Sequence, residues 1–332
     1  MKFSLVFLIL ISISISISDS LFASTQTYQL TDVAKTIEQC QQMRANLVER
    51  FPIAARSKVL SSACEKSFSN SYNVLIEYVG MASTLLVSNY DDGADVHGLY
   101  ATREECEAGV EVAALEFQQL TSIAPFVAYC FRDLRREGVD KYFTLRIDGF
   151  GKATIKPYSF ARHFYDASQF NTDLAAQNFS EALTAFGAQG VGVKFYTDAQ
   201  NTSFMVSYYA AQKLPISIYS DAFLSSEVAC ESYRPVMNDV YSRAGGRLAT
   251  YFCAGSRDSQ TRRIISVGLT TEPLASELAT LKYGTYQDCD KDRAALEESF
   301  RNSLGLNVVG SVCGVEWLSS PVEFVTRIFW VN

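Results

Sequence analysis

The chain has 332 residues, of which 48% are hydrophobic and 20% charged, a composition that supplies a sizeable core and excludes long disorder or a collagen-like fibre. Its 36 acidic against 29 basic residues give a formal charge of −7, which argues against a nucleic-acid partner because neutralising phosphates takes a surplus of Lys and Arg. At about 150 residues per domain, the length allows two domains or several smaller units.

The first element in chain order reads as a leader. Lys2 precedes a mainly apolar run over residues 3–17, then come Ser18, Asp19 and Ser20, and small Ala23 closes the segment, which is the order of a secretory signal peptide. Ser4, Ser12, Ser14 and Ser16 interrupt the run, whereas a membrane span takes about 20 consecutive apolar residues. Residues 1–23 are therefore expected to be cleaved rather than kept as an anchor. No cysteine follows directly to take a lipid, so a mature chain without a transmembrane segment, secreted or periplasmic, is expected.

Eight cysteines lie beyond the leader, an even number that in an exported chain reads first as disulfides. No two are spaced Cys-x-x-Cys and the only histidines are His97 and His163, so neither a zinc site nor another cofactor is expected. The spacing resolves the pairing. Cys40 and Cys64, Cys106 and Cys130, Cys230 and Cys253, and Cys289 and Cys313 stand 24, 24, 23 and 24 positions apart, a nearly constant interval that marks an internal repeat. Eleven positions after each first cysteine comes Phe51, Phe117, Tyr241 or Phe300, and β-patterned runs follow each second cysteine at 74–78, 143–147, 264–267 and 324–328. The gap between Cys130 and Cys230 has room for one more unit. There Lys194 takes the place of the second cysteine, Asn171 that of the first, Leu183 the apolar helix position, and 204–208 the final strand. Joint loss of both cysteines is what a bonded couple would show, which supports bonding within each unit.

Each unit reads as β-α-β-β. In the second, a strand at 85–88 or at 96–100 leads to Thr102 and Glu105, a capping-box spacing. Cys106, Val110, Ala113, Ala114, Phe117 and Leu120 then form one apolar helical stripe. A helix of about 14 residues advances roughly 21 Å, and a returning strand of six or seven residues covers about 20–23 Å, so Cys130 comes back beside Cys106. The predicted fold is α+β: five tandem βαββ repeats at 24–80, 81–151, 152–212, 213–272 and 273–332, a helix on an antiparallel sheet in each, disulfide-stapled in four of the five. A three-stranded sheet has two open edges, so the units are expected to pack on their neighbours, as pairs or as a continuous array.

Candidate chemistry is sparse. His97 and His163 precede helices without an evident nucleophile beside them and read as polar residues at strand edges. Asp91, Asp92 and Asp95 invite a calcium reading, but position twelve of an EF-hand register is Thr102 instead of Glu. Asp288, Asp290 and Asp292 fall at a helix start, where carboxylates cap amides. Tyr165, Tyr208, Tyr209, Tyr251, Trp317 and Trp330 could form a sugar-stacking face or lie in the core. Asn178-Phe179-Ser180 and Asn201-Thr202-Ser203 are glycosylation sequons, which matter only in a eukaryotic secretory pathway.

The order strand, amphipathic helix, strand, strand over residues 160–210 resembles the first part of SPOR domains, a family that binds bacterial septal peptidoglycan. The resemblance covers topology and apolar spacing. The glycine-rich ending of those strands is missing here, paired cysteines are foreign to that family, and no binding residue carries over. Repetition without a recurring chemical group supplies surface, so the expected function is non-catalytic binding or scaffolding in the cell envelope or extracellular space, with a protein or an envelope polymer as partner. The alternatives are an extracellular hydrolase using carboxylates on loops and a secreted inhibitor or partner of another protein.

Overall fold

The computed structural model describes residues 25–67, 70–80, 85–88, 100, 102–132, 143–164, 172–197, 202–219, 223–224, 226–255, 262–315 and 323–331. The expected leader lies outside them. The first stretch of chain folds as β1 (Gln26–Ala34), α1 (Ile37–Ala55), β2 (Ser57–Lys66) and β3 (Tyr72–Gly80). The second is β4 (Leu85–Ser88), α2 (Arg103–Thr121), β5 (Val127–Arg132) and β6 (Phe143–Phe150), and the third is β7 (Lys156–Phe164), α3 (Thr172–Ala185), β8 (Gln189–Thr197) and β9 (Thr202–Ala210). The fourth has a split first strand, β10 (Ile216–Tyr219) and β11 (Phe223–Leu224), then α4 (Glu227–Ser232), α5 (Arg234–Arg243), β12 (Arg247–Gly255) and β13 (Arg262–Leu269). The last is β14 (Ala275–Tyr283), α6 (Tyr286–Leu304), β15 (Asn307–Val315) and β16 (Phe324–Val331).

The fold is α+β, with helices on antiparallel sheets. In all five stretches the third strand lies in the middle, flanked by the first and second, as in β1-β3-β2, β4-β6-β5 and β7-β9-β8. Among the described residues, the bridge from Phe223 to Val315 joins the fourth and fifth sheets. Of the two candidates for the first strand of the second stretch, 85–88 forms β4, while of 96–100 only Tyr100, bridged to Phe143, lies within the described residues. One-residue bulges recur in β2 between Val59 and Ser61, in β12 between Leu248 and Thr250, and in β15 between Val308 and Gly310. Each of these lies at the same distance before the strand cysteine.

Local chemistry sets the helix starts. Thr36, Thr102, Ser226 and Thr285 each accept the backbone N–H three residues on, and Gln39 and Glu105 complete capping boxes, the second of them at the spacing that the sequence predicts. The fourth helix breaks at Tyr233, just ahead of Pro235, which has no N–H to continue the ladder. Cys40, Cys106, Cys230 and Cys289 are each the fourth residue of a helix, and each bonds the partner that the spacing predicts: Cys64, Cys130, Cys253 and Cys313, across Cα separations of 6.0–6.1 Å. Four disulfides fit an extracellular or otherwise oxidising compartment. Among the described residues no helix is long and apolar enough to cross a membrane.

The third stretch corrects the expectation for Asn171 and Lys194. Asn171 lies outside the described residues, and Lys194 is exposed opposite Met205. The helix position of the cysteine belongs to Ala175, the fourth residue of α3. Its strand position belongs to Phe195: each strand cysteine faces the third residue of the central strand, and in this sheet that residue is Phe204, paired with Phe195. The fixed interval misleads because α3 has 14 residues where α1, α2 and α6 have 19. Phe195 stacks on Phe204 at 5.2 Å, and Phe179 meets Phe204 edge-on at 5.7 Å, so aromatic packing replaces the sulfur bridge.

The stretches form a continuous array, in which a helix covers its own sheet and also packs on the next one. α1 lies on β2 and β3 and meets the second sheet through Phe51, whose ring sits 5.8 Å from Phe126 and 5.4 Å from Phe150. α2 touches β7 and β8, α3 lies on β12 and β13, and α5 lies on β15. Burial follows from this. β3 at the open end alternates, with Val74, Ile76 and Tyr78 buried and Glu77 exposed, whereas β6 is buried on both faces from Thr144 to Gly149. At the other end, α6 buries little besides Cys289 and turns a polar face outward, as terminal elements of stacked arrays do.

The polar contacts between stretches include one buried cluster. The Asp148 carboxylate on β6, 0% exposed, accepts from Arg146 Nε at 2.7 Å and Nη2 at 2.9 Å, and from the Tyr28 hydroxyl on β1 at 2.6 Å. Burial raises the hydroxyl pKa of Tyr28, Tyr129, Tyr208, Tyr233, Tyr241 and Tyr251, with Tyr129 and Tyr208 pushed up to about 12. An unfolded tyrosine ionises near pH 10. Above that pH the unfolded chain releases protons that the folded chain keeps, so stability is full below about pH 10 and falls as pH rises further. The urea midpoint should therefore be flat from neutral pH to about 10 and then drop, with tyrosinate absorbance appearing in step with unfolding. Full tyrosinate absorbance while circular dichroism stays native would contradict the burial of these rings.

Candidate binding groove

Edge strand β12 pairs, among the described residues, with β13 alone. Helix α3 of the preceding stretch stands on one face of this sheet and α4 with α5 on the other, and both overhang the strand. The result is a groove of about 610 Å³, lined by residues 248–253 of β12, by Leu174, Ala175 and Asn178 of α3, and by Glu227, Glu231, Arg234, Pro235 and Asn238 of the opposite wall. Six consecutive strand residues can line one groove only if it runs along the strand's edge, because alternate side chains point to opposite faces. The spacing of the wall residues follows helical period: 174, 175 and 178 share one face of α3, and 227, 231, 234 and 238 share one face across the α4–α5 break.

The floor is shielded and the rim is charged. Tyr251 and Phe252 are 5% and 3% exposed. The Tyr251 hydroxyl donates to the Cys230 carbonyl at 2.5 Å, and burial, together with the nearby Glu231 charge, raises its pKa. The Arg234 guanidinium lies over the Tyr251 ring at 4.8 Å and donates to both Glu231 oxygens at 2.9 and 3.1 Å. Glu227 is 70% exposed at its side chain, with Arg262 3.9 Å away, and Arg247 of β12 faces Glu181 of α3 at the same distance.

Arg234 has counterparts. Arg44 and Arg293, like Arg234, stand four residues after a helix cysteine, and they donate to the carbonyls of Ser62 at 3.2 Å and Ser311 at 2.6 Å, each two residues before a strand cysteine. The corresponding carbonyl here is that of Tyr251, and Arg234 donates to Glu231 instead. The spacing Cys-x-x-x-Arg, present three times in the sequence, is the signal that could have pointed to this arginine, and no comparable spacing marks Glu227, Glu231 or Asn238.

Of the residues singled out from sequence, Asn178 reaches the groove, and its sequon neighbour Phe179 is fully buried in α3. Tyr208, Tyr209 and Tyr251 are buried, in keeping with the core alternative rather than a sugar-stacking face, and Trp330 is half-buried. Asp288 accepts from the Thr285 hydroxyl at 2.7 Å and Asp290 lies 3.2 Å from Arg293 Nε, so both serve the helix start. Asp91, Asp92, Asp95, His97, Tyr165, Asn201 and Trp317 lie outside the described residues, as does the side chain of His163. Both groove carboxylates, Glu227 and Glu231, sit on one wall, whereas the glycosidase geometry needs two that face each other across the cleft. Comparison of the chain with protein-family models, with curated proteins and with solved structures found no match.

Proposed function

We propose that this is an exported, non-catalytic binding and scaffolding protein, made by copying one βαββ module over 24–80, 81–151, 152–212, 213–272 and 273–332 behind a cleaved leader. The recurring strand order, the cysteine at the fourth helical residue and the bulge before the strand cysteine support the copying. The observation that carries the binding reading is the groove along β12, which a stapled array holds open between two helices of different modules. Its volume falls within the roughly 300–1,000 Å³ of ordinary ligand sites. Stapling suits such a role: a rigid groove loses little conformational entropy when it is filled.

The test compares the mature protein with Asn238→Trp, an exposed position whose enlargement fills the groove. Both are incubated with purified envelope polymers and with candidate secreted proteins. The wild type should retain a partner that the variant binds at least about tenfold more weakly, a loss of about 1.4 kcal/mol. Equal retention by the two, or no retention by either, overturns the reading.

A further inference from the structure

Resting on the binding reading, we propose that the groove takes an extended polypeptide segment as an added strand on the edge of β12, with a basic side chain of that segment beside Glu227. Three observations converge. The first is the floor itself: six consecutive residues present about 20 Å of strand edge, a length that suits backbone partners repeating at the same interval. The second is the arginine position. Where Arg44 and Arg293 supply a donor to the strand carbonyl two residues before the cysteine, Arg234 is held by Glu231 over the Tyr251 ring. Arg234 thus does not supply the donor that Arg44 and Arg293 give at this position, and a peptide N–H is a donor of the same kind. The third is charge. The lining has two carboxylates, Glu227 and Glu231, against one guanidinium; Glu231 is held by Arg234 at 2.8 Å, whereas Glu227 is 70% exposed and has Arg262 only at 3.9 Å, so the groove is most negative at Glu227.

The same geometry selects among occupants. A second copy would have to bring its own β12 in together with the helices that flank that strand, into a groove already walled by α3 on one side and α4–α5 on the other. A slim single strand fits between them. A sugar would look for an exposed ring face, and the Tyr251 ring is buried and capped by Arg234.

The probe is a phage-displayed library of random peptides, selected on the full mature chain and then synthesised as single sequences. Selected peptides should carry one Lys or Arg at a fixed position among β-branched and small residues. Asn238→Trp should weaken their binding by at least about tenfold. Glu227→Lys, at a side chain 70% exposed, should weaken it several-fold and shift a fresh selection toward acidic peptides, with circular dichroism checking that the variant is folded. Amide exchange should slow at 248–253 when the peptide is bound. The inference is overturned if no peptide is selected, if the selected peptides bind Asn238→Trp as well as wild type, or if protection falls outside β12. Should peptides fail while the wild type still retains a polymer or folded protein that Asn238→Trp does not, the groove binds something else and only the strand-addition idea falls.

Discussion

Asp148→Ala is expected to destabilise the protein by roughly 3–5 kcal/mol, the cost of leaving a buried charge without its partner. The Asp148 carboxylate is the acceptor for two guanidinium N–H groups and for the Tyr28 hydroxyl, and its removal takes that acceptor, and the opposite charge, from a region closed to water. Arg146 and Asp148 belong to the second sheet and Tyr28 to the first, so the loss should appear as a weakened junction between the two. Urea unfolding would give the total, and amide exchange in β1 and β6 would locate it. A double-mutant cycle of Tyr28→Phe with Asp148→Asn should return a coupling of about 0.5–3 kcal/mol. Zero coupling would mean that the two sheets do not meet through these groups. Replacing all three by apolar residues of similar volume should cost much less than Asp148→Ala, because the penalty lies in the unmatched charge.

The second large effect is that of the staple. Replacing Cys106 and Cys130 together by Ala should lower stability by about 3.5 kcal/mol, the chain entropy released on reopening a loop of about 25 residues. Both cysteines are buried, at 0% and 3% exposure, so the lost sulfur atoms add a packing cost of the same sign. Because α2 also holds the third sheet through Phe117 and Tyr209, 6.5 Å apart, the loosening should reach β8 and β9 as well. Unfolding under non-reducing conditions and exchange in α2 would measure it. An unchanged midpoint would remove the staple from the energetics of that stretch. The third stretch, without the bond, has a shorter helix and three packed aromatic rings, Phe195 stacked on Phe204 and Phe179 edge-on to it.

The βαββ order, the capping box at Thr102, the cysteine pairing and the stripe from Cys106 to Leu120 were legible because each follows from interactions close in sequence: capping acts over three residues, helical period over four, and a staple over one module. The exchange of Ala175 and Phe195 for a cysteine couple was not legible by counting, since a change in helix length moves every later position. Nor was the groove. Its floor comes from one module, one wall from the module before and the other from a helix broken at Tyr233, and no spacing within a single module encodes that meeting.

The sequence by itself determined the order of strands and helix in each stretch and the covalent closure of four of them, since both depend on short segments whose polar and apolar periods and cysteine intervals can be read directly. Only the tertiary structure decided how modules stack, which helix covers which neighbouring sheet, and hence which strand edge stays open. That choice depends on side-chain shape across modules, as between Phe51 and Phe126 or between α3 and β12, and apolar burial is non-directional: pattern fixes that a face is covered, and packing fixes by what.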